Sequence, residues 1–173
     1  MSILEQLITQ FPENPGANHY YIHAIEGSKH PERGLQVANR LGNFMPGVAH
    51  LMHMPSHIYI RSGYYKKGIK VNEEAVKDYY NSLSKYPVVA NNSFLYLMHN
   101  LHMKTACAAM DGQYIKAFKF SNETRNSVDS ASLDAGGYFG MYSQYLYMSP
   151  LFTQIRFGKW NDLLNAPVIP VLA

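Results

Sequence analysis

Three well-separated segments of this chain spell the same turn: Arg61-Ser-Gly-Tyr-Tyr-Lys-Lys-Gly-Ile69, Met110-Asp-Gly-Gln-Tyr-Ile-Lys-Ala-Phe118 and Arg156-Phe-Gly-Lys-Trp-Asn-Asp-Leu-Leu164. Each has a glycine, an aromatic two residues later and a small or aliphatic residue three beyond that: Gly63/Tyr65/Gly68, Gly112/Tyr114/Ala117 and Gly158/Trp160/Leu163. This is the pattern of a helix stop followed by a helix start. The glycine permits the tight turn, the aromatic packs between two helices, and the small residue lets the helices approach closely. A weaker copy lies upstream, where Gly34 precedes Gly68 by 34 residues, Leu41 precedes Ala75 by 34 and Leu7 precedes Leu41 by 34. Pro12 and Pro46, also 34 apart, fall where a second helix should end. His30-Pro31-Glu32-Arg33 replaces the glycine turn there, with Pro31 suited to a helix's first turn. A unit of this length, repeated, predicts stacked helix pairs.

Helix pairs are expected near 16–27 and 32–43, 48–61 and 65–80, and 97–110 and 114–126. A further first helix is expected near 143–156, with a partner that barely starts at 160–165. Residues 2–10 read as the second helix of a repeat whose first is absent. The chain is then one domain, 1–173, with repeats near 15–46, 49–82 and 98–131 and a partial one at 144–165. The anchor spacing grows from 34 to 49 between Gly68 and Ala117, and to 46 between Ala117 and Leu163. The excess places insertions at 83–97, with Tyr86-Pro87 and Asn91-Asn92, and at 132–143, with Gly136-Gly137. Long loops there would commonly carry function. The array begins and ends in mid-repeat, as a piece of a longer solenoid would. The tail Ala166-Pro-Val-Ile-Pro170 carries two prolines that stop a helix.

With these motifs the chain resembles the tetratricopeptide repeat family over most of its length, best in the second and third repeats. The resemblance implies an all-α fold, a right-handed superhelical solenoid of antiparallel helix pairs, with about three full repeats and partial terminal ones. The runs Pro15-Gly-Ala-Asn-His-Tyr-Tyr-Ile-His-Ala-Ile-Glu26, His50-Leu-Met-His-Met-Pro-Ser-His-Ile-Tyr59 and His99-Asn-Leu-His102 look like a histidine-rich bacterial branch of that family. The branch implies the fold and no particular chemistry. In the family, first-helix positions line the concave ligand groove.

Seven of the eight histidines fall in those three runs: His19 and His23 with Glu26, then His50, His53 and His57, then His99 and His102. Spacings of three or four put each cluster on one helix face. Counting back from the small residue of each repeat, His19, His53 and His102 lie fifteen before it, His23, His57 and Ala106 eleven before, and Gly16, His50 and His99 eighteen before. His19, His53 and His102 are therefore expected to stack on successive helices, with His23/His57 and His50/His99 beside them. Tyr145, Met148 and Phe152 hold the equivalent places in the fourth repeat, an expected aromatic wall at one end.

Three chemistries fit such a surface. Neutral imidazoles from helices about 8–10 Å apart can converge on an ion. The candidate ligands are His19, His23, Glu26, His53, His57 and His102, for zinc, iron, manganese or copper. A metal with an open position would support hydrolysis or oxidation, with Glu26 as ligand or general base. The alternative is a metal-free scaffold that hydrogen-bonds a peptide or small ligand in a groove of His50, His99, Tyr145, Met148, Phe152 and Arg61. The third is histidines buried for packing alone. Pro55 separates His53 from His57, and either kinks the helix or starts it, which would leave His50 on a loop.

Other features exclude more than they offer. His19-Tyr-Tyr-Ile-His23 lacks the glutamate of the zinc-protease motif, and Ser56 has no flanking glycines to make a nucleophile elbow. Met52, Met54, Met98 and Met103 read as core filler, Cys107 as buried and inert, and His30 as solvated. A single cysteine excludes an internal disulfide framework. A net charge of +3 without a basic run argues against nucleic acid or a membrane surface as partner. The start MSILEQLITQF lacks the basic and apolar regions of a secretory signal, so a soluble protein is expected, cytoplasmic or, if processed, periplasmic. Oligomeric state stays open.

Overall fold

The computed structural model describes residues 2–42, 44–45, 47–86 and 90–165, with the side chains of 2 and 90–94 excepted. Pro46, Pro87 and the proline tail from 166 onward lie outside the described residues. Among the described residues every regular element is helical: α1 (Ser2–Gln10), α2 (Pro15–Glu26), a 3-10 turn (Pro31–Gly34) running into α3 (Leu35–Leu41), α4 (Ala49–His53) and α5 (Pro55–Arg61). Then follow α6 (Tyr65–Lys85), α7 (Ala90–Met110), α8 (Tyr114–Asn126), α9 (Ser130–Asp134), α10 (Gly137–Tyr147), α11 (Ser149–Arg156) and α12 (Trp160–Leu164). No described helix is long and apolar enough to cross a membrane.

Local chemistry accounts for the punctuation. Asn14 caps α2, its side-chain oxygen accepting from the Ala17 amide at 3.0 Å, and Pro15 opens the helix where a missing N–H costs nothing. Gly63, Gly112 and Gly158 take φ of +80°, +72° and +63°, the left-handed turn that the repeated motif predicts. Gly68 is needed for a different reason: a Cβ there would stand 2.6 Å from Cys107 Sγ, so α6 and α7 can meet closely only with a hydrogen in its place. Cys107 is fully buried, and burial pushes its thiol up to about 12. Trp160, at the end of the described array, stays mostly exposed.

Packing follows chain order. α2 rests on α3 and α5, α5 on α6, α6 on α7, α7 on α8, α8 on α11 and α11 on α12. The apolar core is accordingly a series of patches rather than one centre. The first joins Ile22, Ile25, Leu41, Met54 and Ile58; another joins Ile69, Cys107, Ala117 and Phe120. Met54 and Met98 are both fully buried in such patches. The α2–α5 contact, with further ones from α4 and α5 to α7, links the histidine-bearing helices directly, and α7 also touches α11.

Two expectations are corrected here. The segments 83–97 and 132–143 are not long loops: α6 continues to Lys85, α7 already starts at Ala90, and the second segment folds as α9 and the first half of α10. The helices expected at 48–61 and 143–156 are each broken in two, at Met54 and Met148. Pro55 and Pro150 sit in the first turns of α5 and α11 and have no N–H to give to the preceding turn. Met54 keeps helical angles (φ −49°, ψ −38°), so the interruption leaves His50 on α4 rather than on a loop.

Candidate metal centre

α2 presents His19 and His23, α4 His50 and His53, α5 His57, and α7 His99 and His102. Five of the rings close a circuit. Centroids lie 4.9 Å apart for His19–His50, 5.2 Å for His50–His53, 5.0 Å for His53–His57, 5.3 Å for His57–His23 and 4.9 Å for His23–His19. His99 adds to one side, 4.8 Å from His53 and 5.4 Å from His57.

His23 meets His57 as expected, but the stack of His19, His53 and His102 is replaced by a staggered one. His19 pairs with His50, His53 with His99, and His102 with Tyr145, whose hydroxyl is 3.3 Å from the His102 Nε2. In each pair a residue fifteen before its anchor meets one eighteen before the next anchor. These three pairs are offset by three positions, close to one helical turn, whereas His23 and His57 meet in register. His50 and His99, expected in the groove, become members of the histidine clusters, and His102 leaves them.

The cluster resolves into two triads, His19/His23/His50 and His53/His57/His99, in each of which one ligand atom per residue lies within 4.8 Å of the others. Each triad can hold a metal ion. Within them the Nε2 atoms of His19 and His50 are 3.1 Å apart, and those of His57 and His99 3.4 Å apart. Ligands at 2.0–2.1 Å from a tetrahedral ion are separated by about 3.4 Å, so each triad already contains one pair at ligand spacing.

Glu26 joins the triads. Its carboxylate accepts from His57 Nδ1 at 2.6 Å and from His23 Nδ1 at 2.8 Å. Holding both Nδ1 protons leaves both Nε2 lone pairs available, the carboxylate–histidine arrangement that orients ligands in metal sites. Burial pulls the Glu26 carboxyl up, but the hydrogen bonds and charge of His57 and His23 outweigh it and hold the group at about 2. Glu26 is therefore placed as the partner of two ligands. Burial, reinforced by neighbouring imidazoles, lowers His50 and His99 to about 4 and His53 well below the usual 6.5. Burial lowers His19 as well, with His23 and His57 adding to it. These rings are neutral near pH 7, the form that binds metal. His53 is fully buried, and neither of its ring nitrogens has a hydrogen-bond partner among the described residues.

No family model matches the chain, and no curated protein or solved structure matches it.

The remaining site residues lie apart. The Tyr145 and Phe152 rings lie 5.3 Å apart, tilted by 31°, and with His102 and Arg156 line a small pocket of about 200 Å³ between α7 and α11. Met148 is part-exposed in the break between α10 and α11, and Arg61 ends α5 exposed; neither lines that pocket. Ser56 is wholly buried and His30 is exposed beside Glu32. The segments read as insertions supply what sequence reasoning missed. Tyr96 of α7 lies 4.4 Å from the His50 ring, and Tyr138, Phe139 and Tyr142 of α10 face the same cavity. The spacing of Tyr138 and Tyr142, four apart and so on one helix face, was the available signal.

Proposed function

We propose that this chain is a tetratricopeptide-like helical repeat protein whose first helices bind two transition-metal ions, one in each histidine triad. The observation that carries the proposal is His53. A fully buried imidazole with neither nitrogen partnered costs about 1–3 kcal/mol per orphaned group. An ion shared with His57 and His99 would remove that cost. Packing alone gives no reason to gather six imidazoles in mutual contact. The serial packing of helices and the recurrence of the glycine turn support the solenoid reading.

The donor set narrows the ion. It is all imidazole, with the carboxylate occupied by two Nδ1 protons, and this favours zinc or copper over manganese. Three protein ligands leave a coordination position free, which suits binding or activating a small ligand rather than a closed structural site. Metal-assisted hydrolysis or oxidation is the reaction class to assay. Metal analysis of protein purified without a histidine tag is the test. Two ions per chain are expected in the native protein and one in a His53→Ala/His57→Ala variant. Substoichiometric metal that ignores the double substitution would sink the proposal and leave a metal-free ligand groove.

A further inference from the structure

Resting on that metal reading, we infer that the cavity between α7 and α10 is the ligand pocket of the centre and takes a small planar aromatic compound carrying an oxygen donor. The cavity is an open cleft of about 500 Å³, within the size range of small-molecule sites. His50 and His99, one from each triad, line it, so a ligand seated there borders one candidate metal ligand of each triad. The other walls are Leu95 and four aromatic residues, Tyr96, Tyr138, Phe139 and Tyr142. The Tyr138 and Tyr142 rings are parallel to within 2° with centroids 6.5 Å apart, and Tyr96 packs on His50, so aromatic rings border the space on more than one side. Rings of this kind hold another ring by stacking.

Among the described residues the lining contains no lysine, arginine, aspartate or glutamate. A ligand with a separate charged group would find no partner for it, so its polar atom must be the one that reaches the metal. A phenolic or catecholic oxygen in the free coordination position meets that requirement. The two departures from the 34-residue pattern converge here. Tyr96 lies in the first extra segment and Tyr138, Phe139 and Tyr142 in the second, so added length has gone into walling this face of the histidine centre.

The test uses zinc-loaded protein, because zinc has no redox chemistry of its own, and 4-nitrocatechol, whose absorbance shifts on coordination. Saturable binding with a red shift is expected, absent from metal-free protein, displaced by catechol and not by cyclohexane-1,2-diol. Tyr96→Ala, at a half-exposed position, and Tyr138→Ala, at a mostly exposed one, should weaken probe binding by up to about tenfold each with zinc content unchanged. Full zinc loading without probe binding overturns this inference and leaves the metal reading intact. So does probe binding that is indifferent to both substitutions, or equal displacement by the saturated diol. Failure to load zinc or copper overturns both.

Discussion

His57 donates its Nδ1 proton to Glu26 across 2.6 Å, a contact between residues 31 apart in sequence that ties α5 to α2. The other carboxylate oxygen accepts from His23, so one side chain sets the orientation of a histidine in each triad. Removing its charge while keeping its shape should loosen both sites. Glu26→Gln is expected to weaken metal binding by about 10–100-fold at each, read by competition with a chromophoric chelator. Unchanged affinity at both sites would show that the carboxylate does not orient the ligands.

Acid should destabilise the metal-free fold. His50 and His99 are held at about 4, and His53 lower than its usual 6.5, by burial first and by neighbouring imidazoles second. Between those values the unfolded chain binds protons that the folded chain refuses, so stability rises with pH across the window. It is complete above about 6.5 and is lost progressively toward about 4. Glu26, at about 2 in the fold against 4.5, adds a further loss below about 4.5. Thermal melts in chelator should give a Tm that is flat above neutrality and falls below about pH 6.5. A Tm that climbs on acidification through that range contradicts the assignment.

Metal should raise the melting temperature by mass action. Free ion at a hundredfold excess over Kd contributes about 2.7 kcal/mol per site. For a chain of this size that corresponds to a shift of roughly 5–10 °C. The shift should shrink as pH falls, since protons compete for the same nitrogens. Differential scanning calorimetry with and without chelator measures it. An identical melt in both, at neutral pH and with zinc or copper supplied, is incompatible with a filled site.

What was legible in the sequence is what the backbone itself demands. Gly63, Gly112 and Gly158 recur because the turn needs positive φ, and that pattern located the helix boundaries beside them. Helical spacing likewise fixed which face each histidine occupies. It does not give which positions of neighbouring helices meet, which depends on how whole faces interlock, and so it separates His50 and His99 from the triads they join. Gly136-Gly137 was read as loop, yet Gly136 sits at the N-terminal cap of α10 and Gly137, at φ +69°, begins it. The role of Glu26 was open for a similar reason. Its neighbour His23 is local, but its second partner, His57, is brought by folding.

Gly68 offers a test of the close approach on which the stacking depends. A methyl there would stand 2.6 Å from Cys107 Sγ and 3.8 Å from Tyr59 Cβ, so the sulfur is the obstacle. Gly68→Ala gains helix propensity of up to about 1 kcal/mol, and overpacking against a buried atom typically costs about 1–3 kcal/mol. The clash should win, and the variant should be less stable by about 1–2 kcal/mol. Cys107→Ala removes the obstructing sulfur and leaves a small cavity. Introduced into the Gly68→Ala background it should restore part of the loss, whereas in the native background it should only destabilise. Denaturant melts of the four proteins give the coupling as a double-mutant cycle. Additive effects would mean that α6 and α7 do not meet at this pair, and that the repeat's small-residue position serves something other than close packing.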